Sequence, residues 1–298
     1  MTKCFDRFFI DGVLSVSEEK PEFPIIRINN QYAKASISLY GGQVLSCRFK
    51  DSEDLLFLSD KAYYEKGKAI KGGIPVCWPW FGNDPLDEGR PAHGFARNTL
   101  WNLSSTEQLD NGSTKVIMTM NPSEQSKTMF PHDFMLTLIV SIGKNLTLEL
   151  ITENKSDQAI EITQALHTYF SVSNISEVAI SGLSKISYLD KAKSNMGDEN
   201  KIQIGDIEFS GEVDRIYLNV PNDIVLKPSL KNDDIAIKSK NSETVVVWNP
   251  WKDLCEKSGD LQDDDYMRFV CIETANAANE VVFIAAGESY SLTAEYSK

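Results

Sequence analysis

The strongest constraint on the fold is an alternating pattern of apolar residues between positions 134 and 152. Phe134–Ile142 has an apolar side chain at every second position, and Leu146–Thr152 repeats the pattern after Gly143-Lys144-Asn145. Because successive side chains of a strand point to opposite faces, each segment predicts a strand with one buried face. Two such runs around a short glycine-containing turn predict a β-hairpin.

Strand-like segments recur along most of the chain, whereas helical signals are few. Short helices are predicted near Leu55–Tyr64 and around Asp253–Leu254, and polar surface loops at Lys191–Asn200 and Ser258–Asp265. Many short strands with frequent turns predict an all-β fold, a sandwich or a barrel. Without a linker or a repeat, we expect one domain over residues 1–298. The further predicted strands are Ala35–Tyr40, Gln43–Phe49, Lys115–Met120, Ile160–Tyr169, Thr244–Trp248, Arg268–Glu273 and Val281–Ala285.

Charge and cysteine content limit the partners and the compartment. The 298 residues include 43 acidic and 30 basic side chains, for a net charge of −13. An acidic chain repels nucleic acid and anionic lipid, so we expect neither as a partner. No segment approaches the ~20 apolar residues of a membrane span, and no signal peptide is evident. The five cysteines are widely spaced, without a CxxC pair, and their odd number argues against a closed disulfide framework, so we expect a reduced, cytoplasmic protein. No heptad or long exposed apolar stripe is visible in the sequence, so we expect a monomer.

The three histidines are candidate functional residues. His132 follows a proline at a strand entrance, and we expect it to be structural. On a strand, His167 would share one face with Ala165 and Tyr169. That face suits a sugar-binding cleft, and it equally suits a histidine satisfied within a core. No two histidines have metal-ligand spacing, so no metal site is expected.

Glu273 stands out because it interrupts the apolar segment Phe269–Asn276. A buried carboxylate is costly unless it is paired or close to solvent. Such a group is a candidate general base with a perturbed pKa. The alternative is an ordinary glutamate at the exposed end of a strand.

The segment Lys71–Gly82 is rich in glycine, proline and tryptophan. Paired glycines let a backbone turn tightly or approach a ligand. The tryptophans would give either an apolar platform for a sugar or the staple of a compact loop. The chain has no P-loop and no strand followed by GxGxxG, so no nucleotide cofactor is expected.

Six short motifs, taken in order, resemble the glucose-6-phosphate 1-epimerases, which are hexose-6-phosphate mutarotases of the aldose 1-epimerase superfamily. They extend through most of the chain, and together they are far more specific than any one alone. The motifs are Lys71-Gly-Gly-Ile-Pro-Val-Cys-Trp-Pro-Trp-Phe-Gly82, Pro91-Ala-His-Gly-Phe-Ala-Arg97, Leu166-His-Thr-Tyr-Phe170, Val213-Asp-Arg-Ile-Tyr217, Val247-Trp-Asn-Pro250 and Cys271-Ile-Glu-Thr-Ala-Asn276.

The resemblance implies a large antiparallel β-sandwich of the galactose-mutarotase type, with the site in a cleft across one sheet. It implies interconversion of the α and β anomers of a hexose 6-phosphate, a small-molecule substrate, without a cofactor. The matching positions imply His167 and Glu273 as catalytic residues and His93 and Asp214 as substrate-binding residues. Arg97 matches the phosphate-site arginine of the family.

Lys71 departs from the family pattern, which usually has arginine before the paired glycines. Lysine keeps the positive charge but loses the bidentate fork of a guanidinium. We expect Lys71 and Arg97 to bind the phosphate, Glu273 to act as base and protonated His167 to act as acid. The alternatives are a mutarotase of free aldoses, a glycosidase that uses two carboxylates or a lyase on a related sandwich, and a non-catalytic sugar-binding regulator.

Overall fold

The computed structural model describes residues 5–18, 20, 22–192, 200–221, 223–229 and 233–298. Strands predominate in this part of the chain. In chain order they are β1 (Leu14–Ser17), β2 (Ile25–Asn29), β3 (Ala33–Ser38), β4 (Gln43–Phe49), β5 (Val76–Cys77), β6 (Asn102–Gln108), β7 (Thr114–Met120), β8 (Phe134–Ile142), β9 (Leu146–Asn154), β10 (Ile160–Ile162), β11 (Gln164–Leu166), β12 (Tyr169–Ser171), β13 (Ala179–Ser181), β14 (Ser187–Asp190), β15 (Lys201–Ile202), β16 (Val213–Leu218), β17 (Asp223–Lys227), β18 (Ile235–Lys240), β19 (Thr244–Asn249), β20 (Phe269–Asn276), β21 (Val282–Ile284) and β22 (Ser289–Ser297).

Helices are short. The α-helices are α1 (Glu124–Met129) and α2 (Trp251–Lys257), and 3-10 turns lie at Asp6–Phe8, Ala96–Asn98, Ile175–Glu177 and Asp265–Met267. None of the described helices has the length and apolar character needed to cross a bilayer.

Two eight-stranded sheets form the body of the molecule. The site sheet has the order β15-β14-β16-β19-β20-β11-β5, with β12 also paired to β20. The backing sheet has the order β13-β17-β18-β22-β9-β8-β7-β6. A four-stranded sheet joins β1 to β4 in sequence order, and β10 pairs with β21. The ladders at the centres of both large sheets are antiparallel.

The predicted hairpin is β8 and β9, the central pair of the backing sheet. Its register runs from Phe134 opposite Asn154 to Ile142 opposite Leu146. The alternate side chains of β8 are fully buried, whereas those between them are partly exposed. The period of two therefore assigns the faces of these strands correctly.

The buried faces of the three larger sheets meet in one apolar cluster. This cluster includes Ile26 of the four-stranded sheet, Leu138 of the backing sheet and Val247 of the site sheet, all essentially inaccessible. The opposite face of the site sheet carries two smaller apolar clusters. Burial on both faces explains why all eight residues of β20 are buried. The prediction of one domain stays a prediction.

Two local predictions need correction. Leu55–Tyr64 is not helical: it runs extended, with bridges from Leu56 to Phe170 and from Leu58 to Gly72. Buried neighbours on both sides give this segment strand-like partners, and these override its helical signal. The predicted strand Ile160–Tyr169 is divided among β10, β11 and β12.

Other local predictions are confirmed. The helix expected around Asp253 is α2, and the predicted loop Ser258–Asp265 is a loop up to Asp265, where a 3-10 turn begins. Most of the predicted loop at Lys191–Asn200, residues 193–199, lies outside the described residues, as does Cys4. The four cysteines that the structure describes are free and buried.

Gly94 allows two of the sequence motifs to pack side by side. Residue 94 forms a parallel bridge with Trp78, and Phe95 donates its backbone N–H to the Trp78 carbonyl at 3.0 Å. Gly94 has φ +71°, and a Cβ there would lie 1.9 Å from the Trp78 carbonyl oxygen. Only glycine fits, because a side chain would collide with backbone that is itself buried.

We predict that Gly94→Ala destabilises the fold much more than Gly89→Ala. Gly89 has a similar φ of +78° but no atom within 4 Å of its hypothetical Cβ. The left-handed backbone alone costs Gly89→Ala about 1 kcal/mol. The added collision raises the cost for Gly94→Ala to ~3 kcal/mol or more. Urea denaturation measures both, and equal losses would contradict the proposed close packing.

Candidate active site

The register of the site sheet brings His167 and Glu273 together. β11 and β12 both pair with β20, and His167 lies in the short break between them. One register continues across the break, so His167 lies opposite Glu273. The Ile272 N–H donates to the Thr168 carbonyl at 3.2 Å within the break and holds this alignment. The flanking pairs are Leu166 with Thr274 and Tyr169 with Cys271.

The two side chains form a buried pair. The His167 Nε2 atom lies 3.4 Å from Glu273 Oε1, and the side chains are only 8% and 1% exposed. His167 Nδ1 and Glu273 Oε2 are buried without a hydrogen-bond partner in the protein. Unsatisfied buried polar atoms are costly, and a catalytic role is one reason for which a protein keeps them. Of the two readings open for His167, the structure favours a functional group over a satisfied core histidine.

Tyr296 of the backing sheet forms hydrogen bonds, on the core side of the site sheet, to the segments that carry His167 and Glu273. The Tyr296 hydroxyl is 2.6 Å from Thr168 Oγ1, and it also hydrogen-bonds the Thr274 side chain. These threonines directly follow His167 and Glu273, and their side chains face the core. Both strands are therefore tied to one buried hydroxyl immediately behind the pair.

Aromatic rings border the pair on the site face of the sheet. The Tyr169 ring stacks on His167, with centroids 4.9 Å apart and planes 9° from parallel. Trp248 of β19 is half-buried and stands nearly perpendicular to both rings at 6.1 Å. Trp78 and Trp80 do not border the pair. They are 0% and 5% exposed, so they pack inside a compact loop and do not present a surface to a sugar. Trp248 supplies the exposed apolar surface that suits a sugar face.

His93 approaches the pair from the loop that follows Gly82. Its ring centroid lies 5.8 Å from that of His167. The His93 N–H donates to the Gly82 carbonyl at 2.6 Å, and the Gly82 N–H donates to His93 Nδ1 at 3.3 Å. Because Nδ1 accepts, the neutral ring carries its proton on Nε2. His93 also has φ +62°, a strained backbone of the kind found at functional sites.

A cationic cleft opens beside the pair. It has a volume of about 260 Å³ and is lined by Lys68, Lys71, Arg97, Tyr169 and Asp260, among others. Arg97 donates from Nη2 to the Ala92 carbonyl at 2.8 Å, and its Nε is buried without a partner. The Nη2 contact uses one of the five guanidinium N–H donors, so others remain for an anion at the cleft, but the buried Nε is not among them.

Asp214 lies on β16, across β19 from Glu273. Its Cα partner in the ladder is Trp248, and its own carbonyl accepts the Lys191 N–H at 2.7 Å. Burial, reinforced by the Glu212 charge, raises the pKa of Asp214 to about 6. The Asp214 charge in turn raises the pKa of Glu273, so the two carboxyl groups are electrostatic neighbours.

Burial sets the protonation of the central groups. It lowers the pKa of His167 well below its usual value, and the nearby positive charges of Arg97 and Lys71 act in the same direction, as a protonated His93 would. It raises the pKa of Glu273 well above its usual value, although Arg97 partly opposes this. The pKa of His93 falls to about 3, chiefly through burial.

These shifts correct one expectation about the ligand-free site. An imidazolium beside a carboxylate was expected, whereas burial favours a neutral imidazole beside a carboxylic acid. Both descriptions hold one proton in the pair, so they differ only in where that proton lies. A proton donor and a proton acceptor are present in either state.

Sequence reasoning missed Asp260, which it placed on an exposed loop. No local signal distinguishes this aspartate from its acidic neighbours, because its place in the cleft depends on how the loop docks. The structure brings His93, His167 and Glu273 into one group, with Arg97 and Lys71 at the adjoining cleft. Among the described residues, no three His, Cys, Asp or Glu side chains are arranged to hold a metal ion.

An antiparallel sandwich with a cleft on one face and the buried His167–Glu273 pair beside it is the architecture of the mutarotase-like β-sandwich proteins, and the comparisons place this protein among them. A solved structure called a putative mutarotase, from Salmonella typhimurium, is 31% identical and superposes with a TM-score of 0.89 over 97% of this chain and 95% of that one. A galactose mutarotase related enzyme from Lactobacillus acidophilus, 14% identical, has the same fold with a TM-score of 0.73 over 91% and 96% of the chains.

The sequence comparison is more specific than the fold. The family model described as "Aldose 1-epimerase" matches residues 24–297. An Escherichia coli protein with the curated name "Putative glucose-6-phosphate 1-epimerase" is 38% identical over 257 residues, which are 86% of this chain and 84% of that protein. The chain belongs to the aldose 1-epimerase family of enzymes, as its motifs predicted.

We predict that His93 and His167 are both neutral at pH 6 in the ligand-free protein. Their pKa values are lowered, so protonation requires a pH below the ordinary histidine range. Nitrogen-15 NMR of histidine-labelled protein reports charge and tautomer, and it should show the Nε2–H form for His93. The variants His93→Gln and His132→Gln assign the three signals. An imidazolium signal from His167 or His93 at pH 6 would contradict the burial argument.

Proposed function

We propose that this protein interconverts the α and β anomers of a hexose 6-phosphate, with glucose 6-phosphate as the first candidate. The 3.4 Å contact between His167 Nε2 and Glu273 Oε1, beside a cationic cleft, is the observation that carries the proposal. The pair supplies an acid and a base, and the cleft supplies the charges that a phosphate ester requires. The curated name of the Escherichia coli relative supports the same substrate class.

Ring opening requires removal of a proton from the C1 hydroxyl and donation of a proton to the ring oxygen. Glu273 removes the proton of the C1 hydroxyl, the C1–O5 bond breaks as the aldehyde forms, and His167 protonates the ring oxygen. Rotation about C1–C2 exposes the other face of the aldehyde, and the reverse steps close the other anomer. Ring opening leaves Glu273 protonated and His167 neutral, which is the state that burial favours.

Phosphate binding prepares the pair for this step. Arg97 and Lys71 are two of the positive charges that lower the pKa of His167. A phosphate bound between them cancels part of that charge, so it raises the proton affinity of the imidazole. Arg97 also lowers the pKa of Glu273, so neutralising it raises the proton affinity of both groups. Neutralising Lys71, which acts on His167, favours movement of the proton to His167 and leaves Glu273 as the base. His93 and Asp214 would bind sugar hydroxyls, and Trp248 would cover an apolar face of the ring.

A mutarotase of free aldoses is the second candidate. The observation in its favour is the ion pair between Lys71 and Asp260 inside the cleft, which offsets part of the positive charge there. Arg97 remains as a cationic group of the same cleft, and Lys68 also lines it but is itself paired with Glu65 at 2.9 Å. This net positive charge favours the phosphate ester.

The remaining expectations concern the state of the protein. We propose that it acts as a monomer of one domain, residues 1–298, in the cytoplasm, without a cofactor and without nucleic acid or membrane partners. The free, buried cysteines at positions 47, 77, 255 and 271 support a reducing compartment. The apolar cluster shared by the three larger sheets supports one cooperative unit.

We predict that Glu273→Gln lowers the anomerisation rate by about 10²–10⁴-fold, because the amide cannot accept the C1 proton. Exchange NMR on the C1 protons of glucose 6-phosphate measures this rate directly. Glu149→Gln, which makes the same change on the backing sheet, is the matched control and should retain full activity. No acceleration by the unmodified folded protein, with glucose 6-phosphate or with glucose, would refute the proposed function.

We also predict that Arg97→Gln raises KM for glucose 6-phosphate far more than for free glucose. A charge-assisted hydrogen bond contributes about 1.5–3 kcal/mol, so the expected increase is at least ~10-fold for the phosphate ester. Lys144→Gln removes one positive charge from a turn of the backing sheet and should change neither constant. Equal increases for both sugars would remove Arg97 from the phosphate site.

A further inference from the structure

The loop Ser258–Asp265 is docked against the cleft by specific contacts. The Ser59 hydroxyl donates to the Asp260 carbonyl at 2.7 Å, and Leu261 is 1% exposed. Gly259 lies so close to Tyr63 that a Cβ would be 2.5 Å from the tyrosine hydroxyl. The backbone of this loop therefore has a defined position, although its sequence is that of a solvated loop.

The Asp265 carboxylate stabilises the loop through hydrogen bonds and an ion pair. Its carboxylate accepts the Gln262 N–H at 2.8 Å and pairs with Arg268. It is also the longer arm, at 3.3 Å, of a three-centre bond in which Ser59 shares its hydroxyl proton with the Asp260 carbonyl. The side chain of Asp265 is fully buried. A buried and fully bonded carboxylate fixes the turn that presents Asp260 to the cleft.

Asp260 places a negative charge inside an otherwise cationic cleft. Its Oδ2 atom lies 3.4 Å from Lys71 Nζ, and the two side chains are only 20% and 23% exposed. Lys68 and Arg97 line the same cleft. An acid in this position works against the binding of an anion, so it calls for an explanation beyond solubility.

We propose that Asp260 is a specificity-determining residue that limits the preference of this site for phosphorylated over free sugars. The inference rests on the proposed function, because it assigns the cleft to the phosphate group. Asp260 holds the Lys71 ammonium over the cleft and cancels part of its charge. The site then binds a phosphate ester with moderate strength and keeps activity toward an uncharged sugar.

The distance between the Asp260 carboxylate and a bound phosphate determines how strongly Asp260 opposes phosphate binding. A phosphate oxygen bonded to Lys71 at about 2.8 Å would lie within roughly 6 Å of the Asp260 carboxylate. Repulsion between a carboxylate and a phosphate at that range, in a partly buried cleft, corresponds to about tenfold or more in affinity. The amide of Asp260→Asn still accepts a hydrogen bond from Lys71, so this variant removes the charge and keeps the contact.

The test compares wild type, Asp260→Asn and Asp264→Asn. Asp264 is an exposed residue of the same loop, so its substitution makes the same change in net charge away from the cleft. Calorimetry with inorganic phosphate should show about tenfold tighter binding for Asp260→Asn and no change for Asp264→Asn. Exchange NMR should show the ratio of kcat/KM for glucose 6-phosphate over glucose rising by a similar factor.

The possible results separate failure of this inference from failure of the proposed function. Unchanged phosphate affinity in Asp260→Asn, or an equal change in Asp264→Asn, overturns the inference. If Asp260 only positions Lys71, Asp260→Asn leaves the ratio of kcat/KM for glucose 6-phosphate over glucose unchanged, and Asp260→Ala lowers that ratio. This result also overturns the inference. Tighter phosphate binding without catalysis of either sugar by wild type would instead refute the proposed function, because the calorimetric test of the cleft does not depend on turnover.

Discussion

The cross-strand register around β20 is the constraint on which the rest of the site depends. It sets His167 opposite Glu273, although 105 residues separate them in the chain. A shift of one residue would turn one of these side chains to the core face, because side chains alternate along a strand. The bond between Thr168 and Tyr296 holds the same register from the backing sheet. The geometry of the pair is therefore a property of the whole sandwich.

Burial then determines the chemistry that this register makes available. In water, a histidine and a glutamate side by side would attract each other as ions at mildly acidic pH. Inside the sheet, the loss of solvation favours the neutral forms of both groups. The pair keeps one proton, which lies on Glu273 in the ligand-free site with His167 as the neighbouring acceptor. That property suits a reaction in which each step takes one proton and returns another.

The cationic cleft provides local positive charge in a protein whose net charge is −13. Long-range attraction of an anion is not available to such a chain. Local binding is available, because Lys68, Lys71 and Arg97 converge on one partly buried volume. Asp260 offsets part of that local charge, because it pairs with Lys71.

The amino-acid sequence by itself determined the all-β class, the β8–β9 hairpin and the family, because strand periodicity and short motifs are local properties. It also singled out His167 and Glu273. The helix expected at Leu55–Tyr64 was wrong, since pairing with Phe170 and Gly72 outweighed local propensity. Only the tertiary structure decided the partner of Glu273, the burial of Trp78 and the place of Asp260. Those features depend on strand register and loop docking, which join residues far apart in the chain, and solvation follows from that packing.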